Sequence, residues 1–213
     1  MDVFQAVTTR RSIRKYLDIP VEMEKIGRIL EAGKHAPTAG NLQPWKFILV
    51  VDEDKRKRIA EACLQQYWIA RAPVHIVVVA EPQKPKRMYG ERGEKMYALL
   101  DAAAAIENML LVAHEQGLGS CWVSAFEDDL LYRELGIPEH AKPVAVITLG
   151  YADEVVPMPL RFTIENITYI GAWGSRAKDF GAYYGYTSQH VQKLLQQGKL
   201  LLEKITEKIQ KVK

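Results

Sequence analysis

The sequence predicts one compact domain that mixes helices and strands, on three observations. Four short runs are rich in β-branched and aromatic residues and are typical of strands: residues 46–51, 74–80, 120–123 and 144–149. Segments with apolar residues at helical spacing lie between these runs. The chain has 213 residues, of which 48% are hydrophobic, enough for a full core. Because helices alternate with strands, this pattern alone favours a doubly wound parallel sheet.

The first half of the chain supplies local signals for most of its elements. Asp2 can cap a short first helix, and Pro20 opens a second helix that Pro37 ends. Residues 37–44 are rich in Thr, Gly, Asn and Pro and predict a structured loop. Residues 54–67 predict a helix, and residues 74–80 are apolar enough for a strand buried on both faces.

Residues 81–93 contain two Pro, two Gly and many charged residues, which predict an exposed, mobile loop. Residues 94–116 are apolar on nearly all sides and predict a long helix at the centre of the domain or at a subunit interface. A small helix follows at residues 128–135. After Tyr151 the chain becomes irregular, with a short extended piece at 167–170 and a final helix at 188–212.

Composition excludes several classes of protein. A net charge of +3 is too mild to indicate nucleic-acid binding. Cys63 and Cys121 form no CxxC motif, and the five histidines have no metal-ligand spacing. The N-terminal residues contain no apolar segment of signal-peptide length, and polar residues interrupt the apolar stretch 97–112. We therefore expect a soluble, cytoplasmic protein with no metal, no nucleic-acid partner and no membrane partner.

Four stretches could carry chemistry, although each taken alone favours an ordinary structural interpretation. Residues 10–14 place three Arg and one Ser within five residues, which can converge on a phosphate group, or can form a solvated basic patch. Residues 37–45 can hold backbone amides against a polar heterocycle, or can be a simple turn. Residues 117–126 put small residues at a strand end, where a planar ligand can approach the backbone. Arg161 gains meaning only if the C-terminal segment folds back toward Arg10.

Taken in order, these segments resemble the FMN-dependent nitroreductase family over about residues 2–172. The resemblance rests on RRSIRKY, HAPTAGNLQPWKF, AAAAIENMLLVAHEQGLGSCWV, VAVITLGY and PLRFTIENITY. It implies an α+β fold with a mixed, largely antiparallel sheet flanked by helices, built as an intertwined homodimer with FMN at its interface. We therefore expect this largely antiparallel sheet rather than the doubly wound parallel sheet. Residues 1–172 then form the FMN-binding domain, and residues 173–213 form a C-terminal helical extension.

The resemblance also assigns cofactor-binding positions. They are Arg10, Arg11, Ser12, Arg14, Pro37, Thr38, Asn41, Gln43, Gln66, Ser124, Ala125 and Arg161. The first three and the last match contacts to the FMN phosphate, and Arg14 matches a cation near flavin N1 and O2. The residues between 37 and 43 match a loop that reaches FMN from the other subunit. Gln66 matches an amide at the pyrimidine edge, and residues 124 and 125 match backbone donors near N5 and O4.

The implied reaction is a ping-pong transfer of electrons from NADH or NADPH through FMN to a small acceptor such as a nitroaromatic, a quinone or a flavin. The flavin carries the chemistry, so no catalytic side chain is expected. One open site for both substrates is consistent with the lack of a G-x-G-x-x-G motif after a strand. Related reactions on the same fold, reductive dehalogenation or enone reduction, stay open. A non-enzymatic basic binding module is the alternative from another class.

Overall fold

The computed structural model describes residues 1–176. Its strands are β1 (Trp45–Val50), β2 (Val74–Ala80), β3 (Gly119–Val123) and β4 (Lys142–Gly150). Its helices are α1 (Val3–Thr9), α2 (Met23–Lys34), α3 (Glu53–Ala62), α4 (Gln83–Arg92), α5 (Ala98–Glu115), α6 (Asp128–Leu135) and α7 (Ile164–Ile167). The predicted strands at 46–51, 74–80, 120–123 and 144–149 all lie on observed strands.

The four strands form one sheet in the order β1-β2-β4-β3, and every adjacent pair is antiparallel. The parallel sheet favoured by the alternating pattern is therefore wrong, whereas the helix-flanked, antiparallel sheet implied by the resemblance is confirmed. The reason lies in the connections. Val50 at the end of β1 pairs with His75 near the start of β2, so α3 sits inside a wide hairpin connection. The helix α6 sits in the same way between β3 and β4.

Apolar side chains cover both faces of the sheet. Along β2, Ile76 and Val78 pack into a cluster with α2 and α5, while Val77 and Val79 pack into a second cluster with α3 and α6. All seven residues of β2 are buried, as its apolar sequence predicts. Each such side chain stabilises the fold by about 1.5–3 kcal/mol through the area removed from water. The result is a central sheet between two layers of helices.

The long central helix is confirmed, with one difference at its start. A π-helical turn, Gly93–Tyr97, precedes α5, and α4 occupies the segment predicted to be a mobile loop. The two prolines of α4 cause no conflict, because Pro82 and Pro85 lie at its N-terminal end, where backbone N–H groups need no partner within the helix.

The helical run Gln83–Glu115 is long and apolar enough to cross a membrane by length and composition. Its C-terminal part, α5, instead packs against α2 and the sheet. Eight residues of α5 are buried, including Ile106, Met109 and Leu110. We therefore assign the apolar character of this run to its place in the core.

Contacts divide the chain into two units, Met1–Met158 and Pro159–Lys213. In the second unit α7 ends at Ile167, where the extended piece was expected, and Thr168 is extended. The final helix predicted at 188–212 lies outside the described residues, as does most of the extension 173–213. The predicted domain boundary at residue 172 stays a prediction.

Candidate functional site

The basic segment near the N-terminus extends the sheet beyond β3. Ser12 forms a parallel bridge with Ser120, and the N–H of Ile13 donates to the carbonyl of Ser120 at 2.9 Å. A glycine at position 119 permits this approach, because a Cβ there would lie 2.9 Å from Ile13 Cγ2. Residues 10, 12 and 14 are two apart, so in an extended segment their side chains share one side.

The same segment is fixed by Glu154 and Tyr16. The carboxylate of Glu154 accepts hydrogen bonds from the backbone N–H of Arg14 at 2.6 Å and of Lys15 at 3.0 Å. These two donors hold the pKa of Glu154 below its usual range. The buried Tyr16 hydroxyl donates to the carbonyl of Ile13 and contacts Thr148 Oγ1 at 2.7 Å, and burial raises its pKa.

Three of the predicted phosphate and flavin ligands lie near enough to one buried thiol, that of Cys121 on β3, to influence its pKa. Burial raises the pKa of Cys121, while the charges of Arg14 and Arg10 and a hydrogen bond from Ser12 act in the opposite direction. Cys121 is only 2% exposed, so it serves as a packing residue rather than as a reactive group. We refer to Arg10, Ser12 and Arg14, at the edge of β3, as the group around Cys121.

The Arg11 side chain forms hydrogen bonds to the end of helix α1. Its guanidinium donates to the carbonyl of Thr8 at 2.9 Å and to the carbonyl of Arg10 at 2.6 Å. Both acceptors belong to the end of α1. Part of the donor capacity of Arg11 is thus used to fix the chain where α1 ends.

A strained turn joins this group to the end of β3. Leu64 and Gln65 have φ of +56° and +57°, a left-handed conformation that costs roughly 1–2 kcal/mol for a residue other than glycine. The turn presents Gln66, whose side-chain amide donates to the carbonyls of Cys63 at 2.9 Å and Ala125 at 3.5 Å. Gln66 and Ala125 therefore lie next to each other, and their assigned contacts to FMN stay predictions.

Two further side chains complete this end of β3. Trp68 follows the strained turn, and its ring centroid lies 5.8 Å from the guanidinium carbon of Arg14. Ser124 Oγ accepts from Trp122 Nε1 at 2.6 Å, which fixes the backbone after β3. The group around Cys121 is therefore continuous with Gln66, Ser124 and Ala125.

The loop of residues 37–43 forms a second, separate group. It contains a 3-10 turn, Ala39–Asn41, and left-handed residues at Gly40, Asn41 and Gln43. The loop is closed by its own hydrogen bonds: Gln43 N–H donates to Thr38 Oγ1 at 3.3 Å, and the Gln43 amide donates to Asn41. Pro37 at its start is exposed.

Two residues from helices outside the loop, one on α4 and one on α5, contact it. Asp101 of α5 accepts from the backbone N–H of Ala39 at 3.1 Å, and Tyr89 of α4 lies against Gly40. Among residues 1–176, no hydrogen bond or ion pair joins the loop to the group around Cys121. Arg161 is exposed in the second unit.

Sequence reasoning missed Glu154, Trp68 and Asp101. Glu154 lies 140 residues from Arg14, and Asp101 lies 62 residues from Ala39. No local motif marks such contacts. The part of the chain that the structure describes also holds no cluster of three His, Cys, Asp or Glu side chains placed for a metal ion.

Known proteins with related sequences and structures give a consistent picture. The Nitroreductase family matches residues 7–69 and 63–151. A provisionally named NADH dehydrogenase/NAD(P)H nitroreductase of Archaeoglobus fulgidus is 38% identical over 70% of this chain and 85% of that protein. An FMN reductase [NAD(P)H] of Bacillus subtilis is 29% identical over 74% of this chain and 69% of its own length.

Among solved structures, an FMN-dependent nitroreductase from Clostridium difficile superposes with a TM-score of 0.65 at 31% identity. The superposition covers 74% of this chain and 92% of that chain. The residues that match the family model, 7–69 and 63–151, include all four strands of the sheet.

Proposed function

The chain belongs to the nitroreductase family, as its motifs predicted, and we propose that it is a cytoplasmic oxidoreductase that binds FMN and uses NADH or NADPH to reduce small acceptors. The observation that carries the proposal is the pairing of the segment with β3, because the two-residue spacing of Arg10, Ser12 and Arg14 in an extended segment places their side chains on one side. Relatives named as an FMN reductase and as an NAD(P)H nitroreductase support the cofactor and the electron donor.

The donors at the edge of β3 fit the phosphate end of FMN. The guanidinium group of Arg10 and the hydroxyl of Ser12 supply positive charge and short donors to a dianion. Arg10 and Ser12 would hold the phosphate, with Arg11 as a further contact. The segment is fixed by Glu154 and Tyr16 in the protein itself, so little ordering entropy would oppose binding.

The ring end of FMN fits the continuation of this group. Arg14 would lie near the pyrimidine of the flavin, where a cation favours the reduced, anionic form. The Gln66 side chain would face the pyrimidine edge, and the backbone at Ser124 and Ala125 would face N5 and O4. Bound FMN would supply the two-electron redox chemistry, while these residues position the ring and tune its charge.

A second copy of the chain would complete the site. In one chain the loop of residues 37–43 and the group around Cys121 share no hydrogen bond among the described residues, although Pro37, Thr38, Asn41 and Gln43 match an FMN-contacting loop. Helix α1 packs on α5, and apolar side chains remain exposed on both: Val3, Phe4, Val7 and Leu100 are 78%, 58%, 55% and 58% exposed. These surfaces support a homodimer that buries them.

One open site would serve both substrates in turn, the donor first and the acceptor second. The acceptor class we propose is nitroaromatics, quinones or flavins. Tyr89 and Tyr97 pack edge to face with ring centroids 5.2 Å apart, beside the loop of residues 37–43. We expect this aromatic pair to form part of the wall against which a planar acceptor packs.

The test is spectroscopic. Purified protein should show flavin absorption, and NADH or NADPH should bleach it without oxygen present. Acceptors added afterwards should restore the colour, and their relative rates would rank nitroaromatics, quinones, enones and halogenated aromatics. A colourless protein that also refuses added FMN would contradict the proposal, and binding of nucleic acid with steep salt dependence would favour a basic binding module instead.

A further inference from the structure

We propose that Asp101 is a positioning residue for the loop of residues 37–43, which it holds in the conformation that contacts FMN. The proposal rests on the proposed function, because it concerns the same cofactor. It adds a residue that does not belong to any of the cofactor-binding motifs.

Asp101 ties the loop to α5, which has more buried residues than any other helix among residues 1–176. It lies in the first turn of α5 and is 7% exposed. Its Oδ1 accepts the backbone N–H of Ala39 at 3.1 Å. Since α5 packs on α2 and on the sheet, this bond connects the loop to a rigid support.

The bond gives a partner to a backbone N–H group at the start of the 3-10 turn Ala39–Asn41. The first N–H groups of a helical turn have no partner within it, and the preceding side chain normally supplies one. Thr38 occupies that position, but it makes no capping bond and its hydroxyl accepts from Gln43 N–H instead. Asp101 takes over the capping role, which leaves Thr38 free to close the loop.

Asp101 is poorly explained as a source of stability. Its second oxygen, Oδ2, is buried and has no hydrogen-bond partner among the described residues. Burial raises the pKa of this carboxyl group against the opposing effect of the Ala39 N–H. A buried carboxylate with a single hydrogen bond costs free energy relative to a small apolar residue. We therefore assign Asp101 the role of holding Ala39 in position rather than of stabilising the fold.

The loop needs such a support because its own backbone is unfavourable. Asn41 and Gln43 are left-handed at φ of +55° and +49°, and Gly40 lies at +58°. Without an external anchor, these residues would relax toward commoner conformations. The anchor at Ala39 directly precedes Gly40 and lies within four residues of Asn41 and Gln43.

The experiment compares FMN binding by Asp101→Ala, Asp101→Asn and Asn108→Ala with binding by the unaltered chain. Asp101→Ala should weaken FMN binding by about tenfold, the order expected for loss of one hydrogen bond to a charged group. Asp101→Asn keeps an oxygen that can accept from Ala39 and should stay within about threefold of the unaltered chain. Asn108 is the matched control, since its amide on the same helix donates to the Ala32 carbonyl at 3.2 Å, away from the loop.

A second variant covers the case in which Asp101→Ala does not fold. Ala39→Pro removes the donor and leaves the carboxylate in place. Thr38 is already extended, at φ −138° and ψ 151°, as a residue before proline prefers. Ala39→Pro should also weaken FMN binding about tenfold, and combining it with Asp101→Asn should add little further loss.

The outcomes separate the two proposals. If the unaltered chain binds no FMN, the proposed function fails. If the unaltered chain binds FMN and both Asp101→Ala and Ala39→Pro bind it equally well, the role of Asp101 is overturned. The role is also overturned if Asp101→Asn loses as much affinity as Asp101→Ala, or if Asn108→Ala loses as much as either.

Discussion

The two groups of candidate cofactor ligands are built in opposite ways. The segment around Arg10 and Ser12 is paired to the sheet through backbone hydrogen bonds and is braced by Glu154. The loop of residues 37–43 has no strand partner and depends on left-handed residues and side-chain bonds. The first group owes its shape to the fold, whereas the second owes its shape to a few side chains.

This difference teaches where tolerance to substitution should lie. Changing a ligand in the first group should remove one contact and leave the geometry of the others intact. Changing a support in the second group should shift several loop residues at once. The following predictions test that contrast in order of expected effect.

The largest effect is expected for Arg10→Ala. It removes the proposed charge-assisted contact to the FMN phosphate, so binding of FMN should weaken by about 1.5–3 kcal/mol. Thermal stability of the FMN-free protein should change little, because the backbone of the segment is held by other groups. Arg28→Ala is the matched control, since Arg28 is exposed on α2 and, among the described residues, pairs only with Glu115 at 3.9 Å. Equal FMN affinity in both variants would mean that the phosphate site is misassigned.

Gly119→Ala should perturb the support of the first group rather than a ligand. The added Cβ would lie 2.9 Å from Ile13 Cγ2, so either the segment that contains Ile13 or β3 must shift. Overpacking of this kind costs about 1–3 kcal/mol of unfolding free energy. Gly27→Ala, on α2 with nothing within 4 Å, should instead stabilise by about 0.5–1 kcal/mol. Chemical denaturation of both variants checks the opposite signs.

Much of the fold could be predicted from local patterns, but strand direction could not. The apolar run of β2 shows that the strand is buried on both faces, and the observed burial agrees. Nothing in the sequence of β1 or β2 shows that the connection through α3 returns to the same end of the sheet. Direction depends on how a whole hairpin packs, which is a long-range property. The resemblance supplied what periodicity could not.

The candidate site likewise has one part that a local pattern predicts and another part that depends on long-range contacts. Arg10, Ser12 and Arg14 are visible as a local motif, because a two-residue spacing in an extended segment puts them on one side. The side chains that support them are invisible, since Glu154 and Trp68 come from remote parts of the chain. In the sequence, Asp101 is only one of the polar residues that interrupt the apolar stretch 97–112. The candidate ligands lie in one sequence motif, whereas the residues that support them come close to them only in the folded chain.

Gly40→Ala should test the second group with a smaller effect. Alanine at φ +58° costs roughly 1–2 kcal/mol, and its Cβ would lie 2.7 Å from the Tyr89 hydroxyl. We expect weaker FMN binding as well as lower stability, because the loop must move. Gly136→Ala is the control: its φ is +62° with nothing within 4 Å, so it should lose comparable stability. If FMN affinity falls equally in both variants, the loop has no special role.

The smallest effect concerns the pH dependence contributed by Glu154. Its folded-state pKa lies below the ordinary value because Arg14 and Lys15 donate backbone N–H groups to the carboxylate. A lowered pKa means that the stabilisation is fully present above the unfolded-state pKa, about 4.3, and is lost as the pH falls through the folded-state pKa. Glu154→Gln should therefore be less stable than the unaltered chain at neutral pH, and the gap should narrow below about pH 4. Denaturation curves at several pH values measure that gap. A gap that stays constant on acidification would show that the charge of Glu154 does not brace the segment, and the backbone pairing at Ser120 would then be sufficient to hold it.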